Sequence, residues 1–215
     1  RGSAGGGGRM TAVTRVGVLA SGHGSNLQAL FERVHGRHGI AIVAVASDRR
    51  DAGALARAQA AGVECAVFEV GAYADRRERD LAIADWLAAR GVTLVVLAGY
   101  MQLLDEAFLR RFPQAVINVH PALLPAFAGL HAVRQALDYG VKVFGVTVHY
   151  VDAGVDTGPV ILQRALELPD ARCEQEVLER LHELEHELLP EAVRLHAAGA
   201  LHLDPDNPRR VVVAR

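Results

Sequence analysis

The chain of 215 residues has only two cysteines, Cys65 and Cys173, without metal-type spacing. That count excludes a disulfide framework and makes a thiolate zinc site an unsuitable reading. Lysine occurs once, at Lys142, and no long basic run accompanies a net charge of −2. A dedicated nucleic-acid binder usually carries a basic stripe, so no nucleic-acid partner is expected. No run of about 18 or more apolar residues is found, and no charged-then-apolar signal follows Met10. A cytoplasmic protein without a membrane partner is the expectation. What the chain does have is a 51% hydrophobic share, far too high for disorder. Residues 1–9, rich in glycine, read as a leader of cloning origin, which leaves residues 10–215 as one expected domain.

Strand and helix signals alternate. Val16 to Ala20, Ile40 to Ala46, Glu64 to Val70 and Leu94 to Ala98 read as strands. Helices are expected from about Leu27 to Arg37, Ala52 to Ala61 and Asp75 to Arg90, the last with Ile83, Trp86 and Leu87 on one face. Continuously apolar strands separated by helices imply an α/β fold: a Rossmann-like, mostly parallel sheet covered on both faces. Beyond about residue 113 the spacing changes. Strands are expected at Val116 to Val119, Val143 to Tyr150 and Val160 to Leu168, then a long helix that Pro190 should kink or restart.

Four constellations carry chemical interest. Gly22-His23-Gly24-Ser25-Asn26 follows the first strand and opens the first helix, where free N–H groups favour an anion. Three readings stay open there: a phosphate monoester, a dinucleotide with Asp48 as its ribose acid, or a tight turn capped by Ser25 or Asn26. Asn118 and His120 lie two apart on a strand and so share a face, as would suit a carbonyl gaining negative charge. Between two later strands, the loop Val151-Asp152-Ala153-Gly154-Val155-Asp156-Thr157-Gly158-Pro159 offers a carboxylate for His120. Such a neighbour favours the imidazolium form, though a bland turn also explains the composition. His182-Glu183-Leu184-Glu185-His186 matches the H-E-x-x-H pattern of zinc peptidases, but no glutamate follows Glu191 to supply a third ligand. A polar helix face explains it, and no metal is expected.

These motifs, with Leu97-Ala98-Gly99-Tyr100-Met101, Pro121-Ala122-Leu123-Leu124-Pro125 and Gly129-Leu130-His131, resemble the phosphoribosylglycinamide formyltransferases over almost all of Arg15 to Ala200. The resemblance implies formyl transfer from 10-formyltetrahydrofolate, as co-substrate, to the amine of glycinamide ribonucleotide in purine biosynthesis. It implies a catalytic trio of Asn118, His120 and Asp156. The substrate would meet Gly24, Ser25, Asn26 and Glu185, and the folate Arg76, Met101, Gln102, Leu103, Leu104, Asp152, Ala153, Gly154 and Val155. His131 and His149 match site-lining positions, and His182 is a possible phosphate contact. Ala122, Ala128 and Gln102 depart from residues common in the family: serine, proline and arginine. The small-molecule partners need only a monomer or homodimer. Formyltetrahydrofolate deformylase and methionyl-tRNA formyltransferase are the nearest alternatives, and the length is expected to disfavour both because each carries a further domain. A non-catalytic nucleotide-binding module would leave the trio unexplained.

Overall fold

The computed structural model describes residues 13–214, so the leader assigned to residues 1–9 and the start at Met10 lie outside the described residues. A sheet of nine strands forms the centre. Its members are β1 (Thr14–Leu19), β2 (Ile40–Ser47), β3 (Glu64–Val67), β4 (Leu94–Leu97), β5 (Val116–His120), β6 (Val143–Tyr150), β7 (Val160–Glu167), β8 (Leu201–Asp204) and β9 (Asn207–Val213). Their spatial order is β3-β2-β1-β4-β5-β6-β7-β9-β8. The first five strands are parallel; β6 runs antiparallel to both β5 and β7. Six helices flank the sheet: α1 (Ser25–Arg33), α2 (Gly53–Ala60), α3 (Arg76–Ala88), α4 (Glu106–Arg111), α5 (Ala132–Tyr139) and α6 (Glu174–Ala197).

The inner parallel strands are largely apolar on both faces because both faces are covered. Val16, Val18, Leu94 and Val96 pack into one core with Leu27 and Leu30 of α1 and Leu181 and Leu189 of α6. Leu19, Val95 and Leu97, pointing the other way, pack with Ile83 and Leu87 of α3 and Phe108 of α4. The alternation along each strand thus divides one hydrophobic run between two cores.

Four local readings need correction. The first helix ends at Arg33, not Arg37, because residues 34–39 turn back through Gly36, His38 and Gly39, all at positive φ. Neither Ser25 nor Asn26 caps that helix; Gly24 is the N-cap, and no side chain bonds the free turn. Pro190 does not restart the last helix, which runs unbroken through it, with Leu188, Leu189, Pro190, Ala192 and Val193 all buried. Tertiary burial outweighs the roughly 3 kcal/mol helix penalty of an internal proline. The β8–β9 hairpin carries no strand expectation at all, and α4 is likewise an addition.

Strand order reverses between β1 and β4, where open α/β sheets bind ligands beyond the carboxyl ends. The two ends are stitched together: the Ser21 amide donates to the Gly99 carbonyl at 3.0 Å, and the Met101 amide donates to Ser21 Oγ at 2.9 Å.

Candidate active site

Asn118 and His120 end β5 with their side chains on one face, as alternation requires. The antiparallel register of β6 sets His149 directly opposite Asn118. After Tyr150 the chain turns back sharply. A Cβ at Gly158 would stand 1.8 Å from the Tyr150 carbonyl oxygen, so only glycine fits there. Asp152 Oδ1 holds the turn by accepting from the Gly154 amide at 3.1 Å and from Thr157 Oγ1 at 2.6 Å. Arg209, from the unforeseen hairpin, donates to the Thr157 carbonyl at 2.9 Å. The loop so braced delivers Asp156, with φ +52°, beneath the end of β5.

Asp156 is surrounded by donors. Its Oδ2 accepts from the Gly129 amide at 2.8 Å and faces His120 Nδ1 at 3.3 Å. Its Oδ1 lies 3.5 Å from both His149 Nε2 and Asn118 Nδ2. Burial alone would raise the carboxyl pKa. The hydrogen bond from His149, the Gly129 amide and the charges of both imidazoles outweigh it, and the group is held down at about 2. His120, only 5% exposed, also has Nε2 at 2.9 Å from the Phe127 carbonyl. A carbonyl and a carboxylate can only accept, so the ring satisfies both when each nitrogen carries a proton.

The trio lies where two cavities meet. One, of about 300 Å³, is lined by Arg76, Gln102, Leu103, Leu104, Asn118, His149 and the residues from Asp152 to Asp156. The other, of about 460 Å³, takes in Asn118, His120, His131, Met101 and Asp156, with Glu174 and Leu178 of α6. The expected folate group thus gathers around the first cavity, except that Met101, 61% exposed, faces the second. Gln102 lines both, yet its side chain is spent inward: Nε2 donates to Asp48 Oδ2 at 2.9 Å, and Oε1 accepts from Arg79 at 3.3 Å. Asp48 is buried by that contact, which counts against the dinucleotide reading that needs it open to a ribose. Arg79 also forms a buried pair with Asp80 at 2.7 Å, and Asp80 Oδ2 accepts from the Asp105 amide. The segment at 99–105 is therefore tied to α3 from within; no motif in the sequence signals this network.

The expected substrate group stands apart from both cavities, at the start of α1. Gly24 has φ +81°, and a Cβ there would come within 2.7 Å of Ala54 Cα. Asn26 donates from Nδ2 to Glu185 Oε2 at 2.8 Å across from α6, while its Oδ1 is buried without a partner. Burial raises the Glu185 carboxyl pKa, and the Asn26 bond and the nearby His182 only partly offset it. Ser25 alone of this group lines a cavity, a third one of about 200 Å³ with Arg57 and His186. Glu185 is thus turned toward α1, while His182 and His186 stack on each other 6.2 Å apart. Among the described residues no cluster of three or more His, Cys, Asp or Glu is arranged to hold a metal ion. Also among them, no helix is long and apolar enough to cross a membrane.

Residues 14–193 match the family model described as formyl transferase. A phosphoribosylglycinamide formyltransferase of Bacillus subtilis is 39% identical over 85% of this chain and 94% of its own length. One from Mycobacterium tuberculosis is 43% identical over 89% of this chain and 87% of its own. The solved structure of glycinamide ribonucleotide transformylase 1 from Symbiobacterium toebii superposes with a TM-score of 0.91 at 45% identity, covering 96% of each chain. With a model match across most of its length, and curated and structural relatives agreeing, the chain belongs to the formyl transferase family.

Proposed function

We propose that this chain transfers a formyl group from 10-formyltetrahydrofolate to the primary amine of 5′-phosphoribosylglycinamide, giving the formylated ribonucleotide and tetrahydrofolate. The observation that carries the reading is the Asp156 carboxylate set between His120 and His149, beside Asn118, where two cavities join. Such a cluster suits acyl transfer. The neutral amine attacks the formyl carbon, a C–N bond forms, and the carbonyl oxygen becomes an oxyanion that protonated His120 and the Asn118 amide stabilise. To reach that oxygen, His120 Nε2–H turns from the Phe127 carbonyl to the substrate, while Asp156 keeps the ring charged. Collapse then breaks the bond to the folate nitrogen. That nitrogen takes up a proton while the attacking nitrogen gives one up, with Asp156 and water as carriers.

The folate occupies the cavity around Leu103, Leu104 and the loop from Asp152 to Val155, with Arg76 and Gln102 at its side. The substrate phosphate sits at the uncapped α1 N-terminus, at Gly24, Ser25 and Asn26, with the ribose toward Glu185. The unpartnered Asn26 Oδ1 and the absence of a side-chain cap support that end of the site. In this reading residues 10–215 act as one formyltransferase domain in the cytoplasm, as a monomer or homodimer on small molecules alone.

The test is to follow tetrahydrofolate release from 10-formyltetrahydrofolate with and without the glycinamide substrate. Release that requires the amine is expected; equal release without it refutes the transfer in favour of hydrolysis. No release in either arm reduces the chain to a binding module.

A further inference from the structure

We propose that His149 is a positioning residue that holds the Asn118 amide and the Asp156 carboxylate in their working arrangement. The proposal rests on the transfer reading above. His149 is 2% exposed, on β6 across from Asn118, and both of its ring nitrogens are engaged. Nδ1 lies 2.9 Å from the Tyr150 carbonyl oxygen, which only accepts, so Nδ1 carries a proton. That bond fixes the plane of the ring. It aims Nε2 at the two groups that must not drift, Asn118 Nδ2 at 3.2 Å and Asp156 Oδ1 at 3.5 Å; without a proton Nε2 accepts from the amide, and with one it donates to the carboxylate, one at a time.

Apart from each other and His120, neither group meets another side chain that could do this. Among the described residues, Asn118 Nδ2 has hydrogen-bond partners only in His149 and Asp156. Asp156 Oδ2 is secured by the Gly129 amide and His120, whereas Oδ1 has only His149 and Asn118. A carboxylate pinned through one oxygen can still rotate about its own axis. His149 closes that freedom and, through Asp156, fixes where His120 stands. His149 itself lines the folate-side cavity and not the one that holds His120, so its influence on the oxyanion runs through the other two side chains.

The two ring nitrogens can be tested separately. Glutamine presents an amide near the position of Nε2, and asparagine near that of Nδ1. His149→Phe fills the space and supplies neither. We expect His149→Phe to lower kcat about ten- to hundredfold, the loss that follows removal of a hydrogen bond to a charged group, with KM for both substrates within about threefold. His149→Gln should recover most of kcat, and His149→Asn should not, although both remain folded by circular dichroism. A double-mutant cycle of His149→Phe with Asn118→Ala should be strongly non-additive, because the second change removes what the first one positions.

A merely structural histidine predicts the reverse order, with asparagine restoring kcat in step with the unfolding temperature and glutamine failing; that order overturns the proposal. Unchanged kcat in His149→Phe also overturns it. If the unaltered chain transfers no formyl group, the functional reading falls and this proposal with it. Transfer by both the unaltered chain and His149→Phe at equal rates removes only the role of His149.

Discussion

Asp156→Asn isolates a charge while keeping a shape. The new amide still offers an oxygen to the Gly129 amide, 2.8 Å away, so the loop has reason to stay in place. What disappears is the negative charge 3.3 Å from His120 Nδ1. At an effective dielectric of about 20 the full Coulomb attraction over that distance is about 5 kcal/mol. The net effect is smaller, since burial opposes it: the carboxyl pKa falls from 3.8 to about 2, worth about 2 kcal/mol. The side chain is only 15% exposed, so solvent screening removes little of this. If the loss matches removal of an oxyanion donor, it costs about 2.7–4 kcal/mol in the transition state, or roughly 10²–10³ in kcat. Steady-state tetrahydrofolate release at pH 7 measures it, and kcat within threefold of the unaltered chain would refute the reasoning. Stability gives a second readout with a definite sign. A carboxylate with a depressed folded pKa stabilises the fold above its unfolded value of 3.8 and loses that contribution as pH falls through about 2. Urea unfolding of Asp156→Asn should therefore show a deficit of up to about 2 kcal/mol at pH 7 that vanishes near pH 2. A deficit that is constant with pH would mean the charge is not its cause.

Gly24→Ala forces a Cβ at φ +81° within 2.7 Å of Ala54 Cα, so KM for the phosphorylated substrate should rise at least tenfold and stability fall by about 1–2 kcal/mol. Titration of inorganic phosphate against the variant checks the first effect, and an unchanged affinity sinks the phosphate assignment. Arg79→Met leaves the fully buried Asp80 without its cation and should cost about 3–5 kcal/mol by thermal unfolding; a loss below 1 kcal/mol contradicts the buried-pair account. Gln102→Arg sets a second guanidinium beside Arg79 but gives Asp48 a stronger partner. Folate KM should change by more than threefold while kcat holds, and an unaltered KM means that Gln102 plays no part in shaping the folate cavity.

The centre of the parallel sheet was legible because its inner strands are buried on both faces, which leaves no polar residue inside Leu94–Leu97. The β8–β9 hairpin was not legible. Its residues are mostly exposed, and its position follows from pairing with β7 and from Arg209 reaching the loop. Asn118 and His120 announced themselves by spacing on one strand. Asp156 came from family likeness, since its meeting with His120 depends on a turn closed by Gly158 against Tyr150. Asn118, His120 and Asp156 lie together, but their resting contacts were hidden. Imidazole spacing along a chain says nothing of the Phe127 carbonyl that occupies His120 Nε2. The inward turn of Gln102 was equally hidden, because it needs Asp48 and Arg79 from two other elements.

Helix α6 runs without interruption from Glu174 past Glu185, and this has a dimensional consequence. Glu174 and Leu178 stand at the second cavity, and Glu185 stands at the start of α1. Because no break intervenes, eleven residues of one rod separate the two ends, about 16 Å at 1.5 Å per residue. The rod fixes the spacing that any molecule reaching both ends must span. One residue inserted between Leu178 and Glu185 would lengthen it by only about 1.5 Å but would swing Glu185 by about 100°, away from Asn26. Length and angle are thus set by the same helical repeat, and neither can change without the other.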